Sequence, residues 1–73
     1  MKTELFEKCI EIKEAVKSLE SHIQSYEDVK DIIGNNYPKL TKKFDHQIEI
    51  KQMAIARINL IFSRTLNKLN QEQ

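Results

Sequence analysis

His22 and His46 are the only histidines in this 73-residue chain, and Asp45 and Glu49 lie close to the second of them. Imidazoles and carboxylates in that neighbourhood are the residue types that hold zinc. A structural or catalytic site needs three or four ligands at set spacing, and no such motif is present. Solvated imidazoles account for both histidines, so no metal is assigned. Cys9 is the single cysteine. A nucleophilic thiol needs a nearby base and an oxyanion donor, whereas a cysteine on an apolar helical seam packs as a small hydrophobe. Packing is the expected role. The chain has no glycine-rich phosphate loop, nucleophile elbow or paired-carboxylate pocket, so the sequence is read as that of a non-enzyme with no catalytic residues and no cofactor.

Lys39, Lys42, Lys43, Lys51, Arg57, Arg64 and Lys68 are the remaining residues that could do work, as a nucleic-acid face. Phosphate binding draws on many unneutralised cations, and the formal net charge is only +1. That charge hides an asymmetry. Residues 1–33 carry five lysines against eight acids, and residues 34–73 carry seven bases against three acids. The basic residues are therefore expected to form a solvated face that complements an acidic first half, with no nucleic-acid partner.

The elements that would position these residues are helices. A composition of 40% hydrophobic and 32% charged residues, with one glycine, one proline and no tryptophan, suits a helical chain with few turns. Leu5, Cys9, Ile12, Val16, Leu19, Ile23 and Tyr26 alternate in spacings of four and three, the seam of a coiled coil over three heptads. Thr3 can cap this helix, with Glu4 and Glu7 favouring its positive end. Gly34 marks its end, and Asn35, Asn36, Tyr37 and Pro38 form the only cluster of turn residues. The second helix can begin at Pro38 or after Thr41. Its stripe is Phe44, Ile48, Ile55, Ile58, Phe62, Leu66 and Leu69, interrupted by Lys51 and Gln52.

The expected fold is thus all-α, an antiparallel coiled-coil-like hairpin in a single domain. Helix one spans about 3–33, the turn about 34–38 and helix two about 39–69. Folding about Asn35–Asn36 makes positions summing to 71 face each other: Leu5 with Leu66, Cys9 with Phe62, Val16 with Ile55, Ile23 with Ile48. Each of those layers is apolar.

Helix two has more apolar surface than its seam consumes. Eight of the ten residues Met53–Phe62 are apolar. Ile50, Met53, Leu60 and Ile61 have no intramolecular partner in a two-helix fold, and Phe6 and Ile10 are partly wet as well. A contiguous exposed apolar patch marks an interaction surface. Ile50, Met53, Leu60 and Ile61 are therefore the expected partner-binding residues, and the isolated chain is expected to form homo-oligomers if no partner covers them. A lone cysteine fits a reducing cytoplasmic compartment. Uncharged runs such as Ile58–Ser63 are far short of the roughly 20 residues that span a bilayer, so no membrane insertion is expected, and the N-terminus lacks the apolar core of a signal peptide.

This arrangement resembles a known family, the small helical-hairpin co-chaperones of type III secretion needle subunits (the YscE/PscE/EscE/SsaE group). The likeness covers nearly the whole chain. It consists of the size, a first helix of polar-apolar heptads, a short turn with Gly34, and a second helix that ends in the alanine- and isoleucine-rich run Lys51–Phe62. The resemblance implies a cytoplasmic virulence-associated chaperone function: the hairpin pairs with a larger tetratricopeptide-like chaperone, and the two keep a polymerising needle subunit soluble until export. Two other readings fit the same residues. One is a stand-alone regulatory or immunity-type hairpin that binds and blocks another protein. The other is a small nucleic-acid-binding protein that uses Lys42, Lys43 and the basic side of helix two.

Overall fold

The computed structural model describes residues 2–71, which form two α-helices, α1 (Lys2–Ile33) and α2 (Pro38–Gln71), packed against each other as a hairpin. Among the described residues there is no strand. The protein is a rod with principal extents of 56 × 15 × 11 Å.

The turn follows from two residues. Gly34 has φ = 55°, the left-handed conformation that ends α1, and its N–H donates to the Lys30 carbonyl at 2.9 Å. Asn36 N–H then donates to the Ile33 carbonyl at 3.3 Å, closing the bend. Helix two starts at Pro38, whose missing N–H costs nothing at a first helical position. The Tyr37 carbonyl accepts both the Thr41 N–H at 2.9 Å and the Thr41 hydroxyl at 3.1 Å, so Thr41 sits inside the first turn and is not its cap. Thr3 likewise lies within α1, because that helix already runs from Lys2, and only Glu4 of the expected acidic pair falls in the first turn. A Cβ built on Gly34 would meet nothing within 4 Å, so only the backbone restricts substitution there. Gly34→Val is therefore expected to lower the melting temperature clearly, by the roughly 1–2 kcal/mol of a strained left-handed residue, whereas Gly34→Asn loses little. Equal melting of the two variants by circular dichroism would place the constraint elsewhere.

Burial follows the heptads throughout α1: Leu5, Cys9, Ile12, Val16, Leu19, Ile23, Tyr26, Lys30 and Ile33 are half-buried and most of the rest is exposed. In α2 the buried and half-buried line runs Thr41, Phe44, Ile48, Lys51, Ile55, Ile58, Phe62, Thr65 and Leu69. Thr41, Lys51 and Thr65 are members that the expected stripe lacks. Lys51 does not interrupt the seam. It lies along it, with its ammonium 5.5 Å from the centre of the Tyr26 ring, which itself meets Phe44 at 5.4 Å between centroids. Thr65, at 6% exposure, takes the inner place expected for Leu66, because its hydroxyl is satisfied by the Ile61 carbonyl at 2.9 Å.

The facing register also differs. Tyr26 touches both Phe44 and Lys51, and Lys30 pairs with Asp45, so partners' numbers sum to 70, 77 and 75. Tyr26 therefore stands at the level of Ile48, between the two α2 residues it touches, and facing positions sum to about 74 where 71 was expected. Both seams repeat every three and four residues, so a slide of one seam step preserves apolar layers and the turn geometry decides between registers. Ile12 and Val16 accordingly share a surface groove with Asn59 and Phe62.

The core is thin. Ile48, at 8% exposure, is the one buried apolar residue among those described, and no side chain is fully buried. The accessible surface is 5933 Å², against about 4,700 Å² for a compact monomer of this mass. The radius of gyration is 16.7 Å, against about 11 Å for a compact domain of this length.

Candidate protein-docking surface

An α-helix turns about 100° per residue, which fixes where each side chain of α2 stands relative to the seam. Met53 and Leu60 come out opposite the line Phe44–Ile48–Ile55–Phe62, pointing away from α1. Ile50 and Ile61 stand roughly 80–100° further round, so the four residues bound an outer arc of about 100°. Their exposures of 44%, 53%, 54% and 47%, for Ile50, Met53, Leu60 and Ile61 in turn, agree with that placement. Each was expected at the surface from sequence, and the hairpin covers none of them.

No family model, curated protein or solved structure matches this chain. Its role has to be read from the surface itself.

Three cations stand on the line of the apolar arc. Lys43, Arg57 and Arg64 are separated from Ile50 by whole multiples of seven residues, so they share its line on the helix. All three are exposed, and none has an ion-pair partner among the described residues. The acids of α2 among the described residues, Asp45 and Glu49, lie outside the arc, Glu49 at its edge. On α1 the acids Glu7, Glu11 and Glu14 occupy the side turned away from α2. The charge asymmetry of the two halves thus points outward in opposite directions, and the expected pairing of a basic face with α1 is not made by Lys43, Arg57 or Arg64. An ion pair that does link the helices has the reverse polarity, Lys30 of α1 with Asp45 of α2. Its hydrogen bond holds the Lys30 ammonium above the ordinary lysine value of 10.5, with desolvation opposing it and the charges of Asp45, Glu27 and Asp31 adding to it.

The residues first considered for chemistry are dispersed. His22 lines one groove with Ser25, Tyr26 and Lys51, and His46 lines another with Leu40, Phe44 and Gln47. No group of three or more His, Cys, Asp or Glu residues among those described is placed to hold a metal ion. Cys9 is a half-buried free thiol on the α1 seam. No described helix is long and apolar enough to cross a membrane.

Other apolar residues are exposed away from this arc. Phe6 and Ile10 lie on the flank of α1, and Ile32, at 82% exposure, stands near Tyr37 and Leu40 at the turn end. In the arc, apolar side chains recur along one helix face from Ile50 to Ile61, 12 residues and about 18 Å. Arg57 and Arg64 are the members that sequence reading missed. The seven-residue spacing from Ile50 is the signal that marks them, whereas charge alone groups them with unrelated lysines.

Proposed function

We propose that this chain is a protein-binding helical hairpin that acts as a co-chaperone. It pairs with a larger tetratricopeptide-like chaperone in the cytoplasm, and together they keep a polymerising type III secretion needle subunit soluble before export. The observation that carries the binding role is the outer arc of α2, half-exposed and apolar on a rod whose own core has a single buried apolar residue among those described. A chain of this size gains only about 3–5 kcal/mol from its core, so covering that arc stabilises both the hairpin and its partner. Repeat chaperones present terminal helices that need an apolar cap, and an amphipathic helix laid across them supplies one. The narrower assignment to type III secretion is supported by the family resemblance of size, heptads, turn and the Lys51–Phe62 run. The role is binding without chemistry.

Affinity purification of the tagged chain from the organism that encodes it, followed by identification of the bound chains, tests this reading. A helical-repeat chaperone together with a small helical export subunit is the expected catch, and the export subunit should aggregate when the hairpin is deleted. Recovery of an unrelated enzyme or receptor would replace the co-chaperone role with that of a blocking hairpin.

A further inference from the structure

We infer that the outer face of α2 takes an acidic amphipathic helix of another protein, whose apolar residues cover Ile50, Met53, Leu60 and Ile61 and whose carboxylates meet Arg57 and Arg64. This rests on the reading of the hairpin as a protein-binding module and adds the chemistry of the partner segment.

Charge selects the occupant. Arg57 stands at the middle of the apolar arc, and Lys43 and Arg64 stand beyond its two ends on the same line, none with an ion-pair partner. A helix that covers Met53 and Leu60 must pass over Arg57, and leaving that guanidinium covered without a counter-charge is costly. A second copy meeting this face through its own α2 brings like charges together in either direction. Antiparallel docking centred between Met53 and Leu60 sets Arg57 against its equivalent, and parallel docking sets every cation against itself. The acidic side of another copy's α1 has the right charge, but its apolar cover is Phe6 and Ile10, continued on the same line by Lys13 and Lys17 and then by Ser18, Ser21 and Ser25 beside it, too short to cover an arc that runs from Ile50 to Ile61. Nucleic acid has phosphates for the arginines and nothing for Met53 or Leu60. On a lipid surface the cations of a helix flank its apolar stripe, whereas here Arg57 interrupts it. An acidic helix with apolar residues at three-four spacing satisfies both sets of groups.

Three capped synthetic helical peptides of about three heptads, identical in their leucine seam and differing only in whether the flanking positions are Glu, Gln or Lys, test the inference. Their binding to the full chain is read by fluorescence anisotropy and by amide shift mapping. The Glu peptide should bind best, weaken with added salt, and perturb amides between Ile50 and Arg64. In R57E/R64E the order should invert, with the Lys peptide favoured by roughly tenfold. Both sites are exposed, so the variant should keep its helix content, which circular dichroism checks. Equal affinity for the three peptides, no binding of the Glu peptide at millimolar concentration, or perturbation centred on the Ile12–Phe62 groove overturns the inference. So does tighter binding to a random DNA duplex or to phosphatidylserine vesicles, or dimerisation that R57E/R64E abolishes. The two levels separate cleanly. A natural partner that binds R57E/R64E as well as wild type removes the acidic-helix inference and leaves the co-chaperone role standing. An inverted peptide preference beside an unrelated natural partner does the reverse.

Discussion

Ile48→Ala is expected to leave the isolated hairpin largely unfolded. Ile48 is the one apolar side chain among the described residues that is buried, and it faces Tyr26 in the layer where Phe44 and Lys51 also converge. Truncating a buried isoleucine to alanine costs about 2–5 kcal/mol, through lost transfer energy and the cavity left behind. A core of this size supplies about 3–5 kcal/mol in all. The loss therefore matches the whole of the stability, and thermal melting followed at 222 nm, the usual helix signal, should show a broad transition or none. Ile55→Ala is the comparison. Ile55 is half-exposed, so part of its surface is already wet and its truncation should cost less. If the two variants melt alike, Ile48 does not hold the centre of the core, and the facing register is nearer to 71 than to 74.

The two helices and their joint were legible in the sequence because each is set by local chemistry. Seven apolar residues at three-four spacing define α1 without reference to anything else, and Gly34 followed by Asn35, Asn36, Tyr37 and Pro38 admits only a bend. The sequence leaves the start of α2 open between Pro38 and Thr41, since both residues are good early-helix signals. The Tyr37 carbonyl settles it by accepting from Thr41. The composition of the second seam was less legible. Lys51 and Thr65 look polar in a list of residues, yet Lys51 has a long aliphatic stem and an aromatic ring to rest its charge on, and the Thr65 hydroxyl bonds to its own helix. Neither compensation can be seen until the partner atoms are placed. The register was the hardest part. Two repeats of the same period fit together equally well when slid by one step, and only a contact such as Tyr26 with Phe44 and Lys51 breaks the tie.

Of the candidate surface, the apolar members could be found by subtraction: residues left over once the seam had taken its share. Its electrostatic half could not be found that way. Charge counted over each half of the chain suggested that the halves attract, whereas helical geometry turns Arg57 and Arg64 away from α1 and Glu7, Glu11 and Glu14 away from α2. Net charge has no direction. A surface acquires one only when the seam is known well enough to say which residues stand behind it.

Replacing Leu60 and Ile61 together with aspartate should abolish binding to the natural partner while leaving the hairpin folded. Neither side chain is buried by α1, at 54% and 47% exposure, so the substitutions remove little that holds the two helices together. In a complex, each would contribute roughly 1.5–3 kcal/mol on burial, and the four apolar residues of the arc must together exceed the cost of association. Losing two of them amounts to a drop of roughly two to four orders of magnitude in affinity before the new charges are considered. Aspartates facing an acidic helix add repulsion, so the variant should show no measurable binding by titration calorimetry. The wild-type chain alone should bind a hydrophobic dye, and the variant should not. Phe6→Asp, on the flank of α1 and away from the arc, serves as the control for a generally greasy rod and should retain full affinity. Unchanged binding by the double variant would move the interface off α2, and an equal loss in Phe6→Asp would mean that the partner wraps the whole rod.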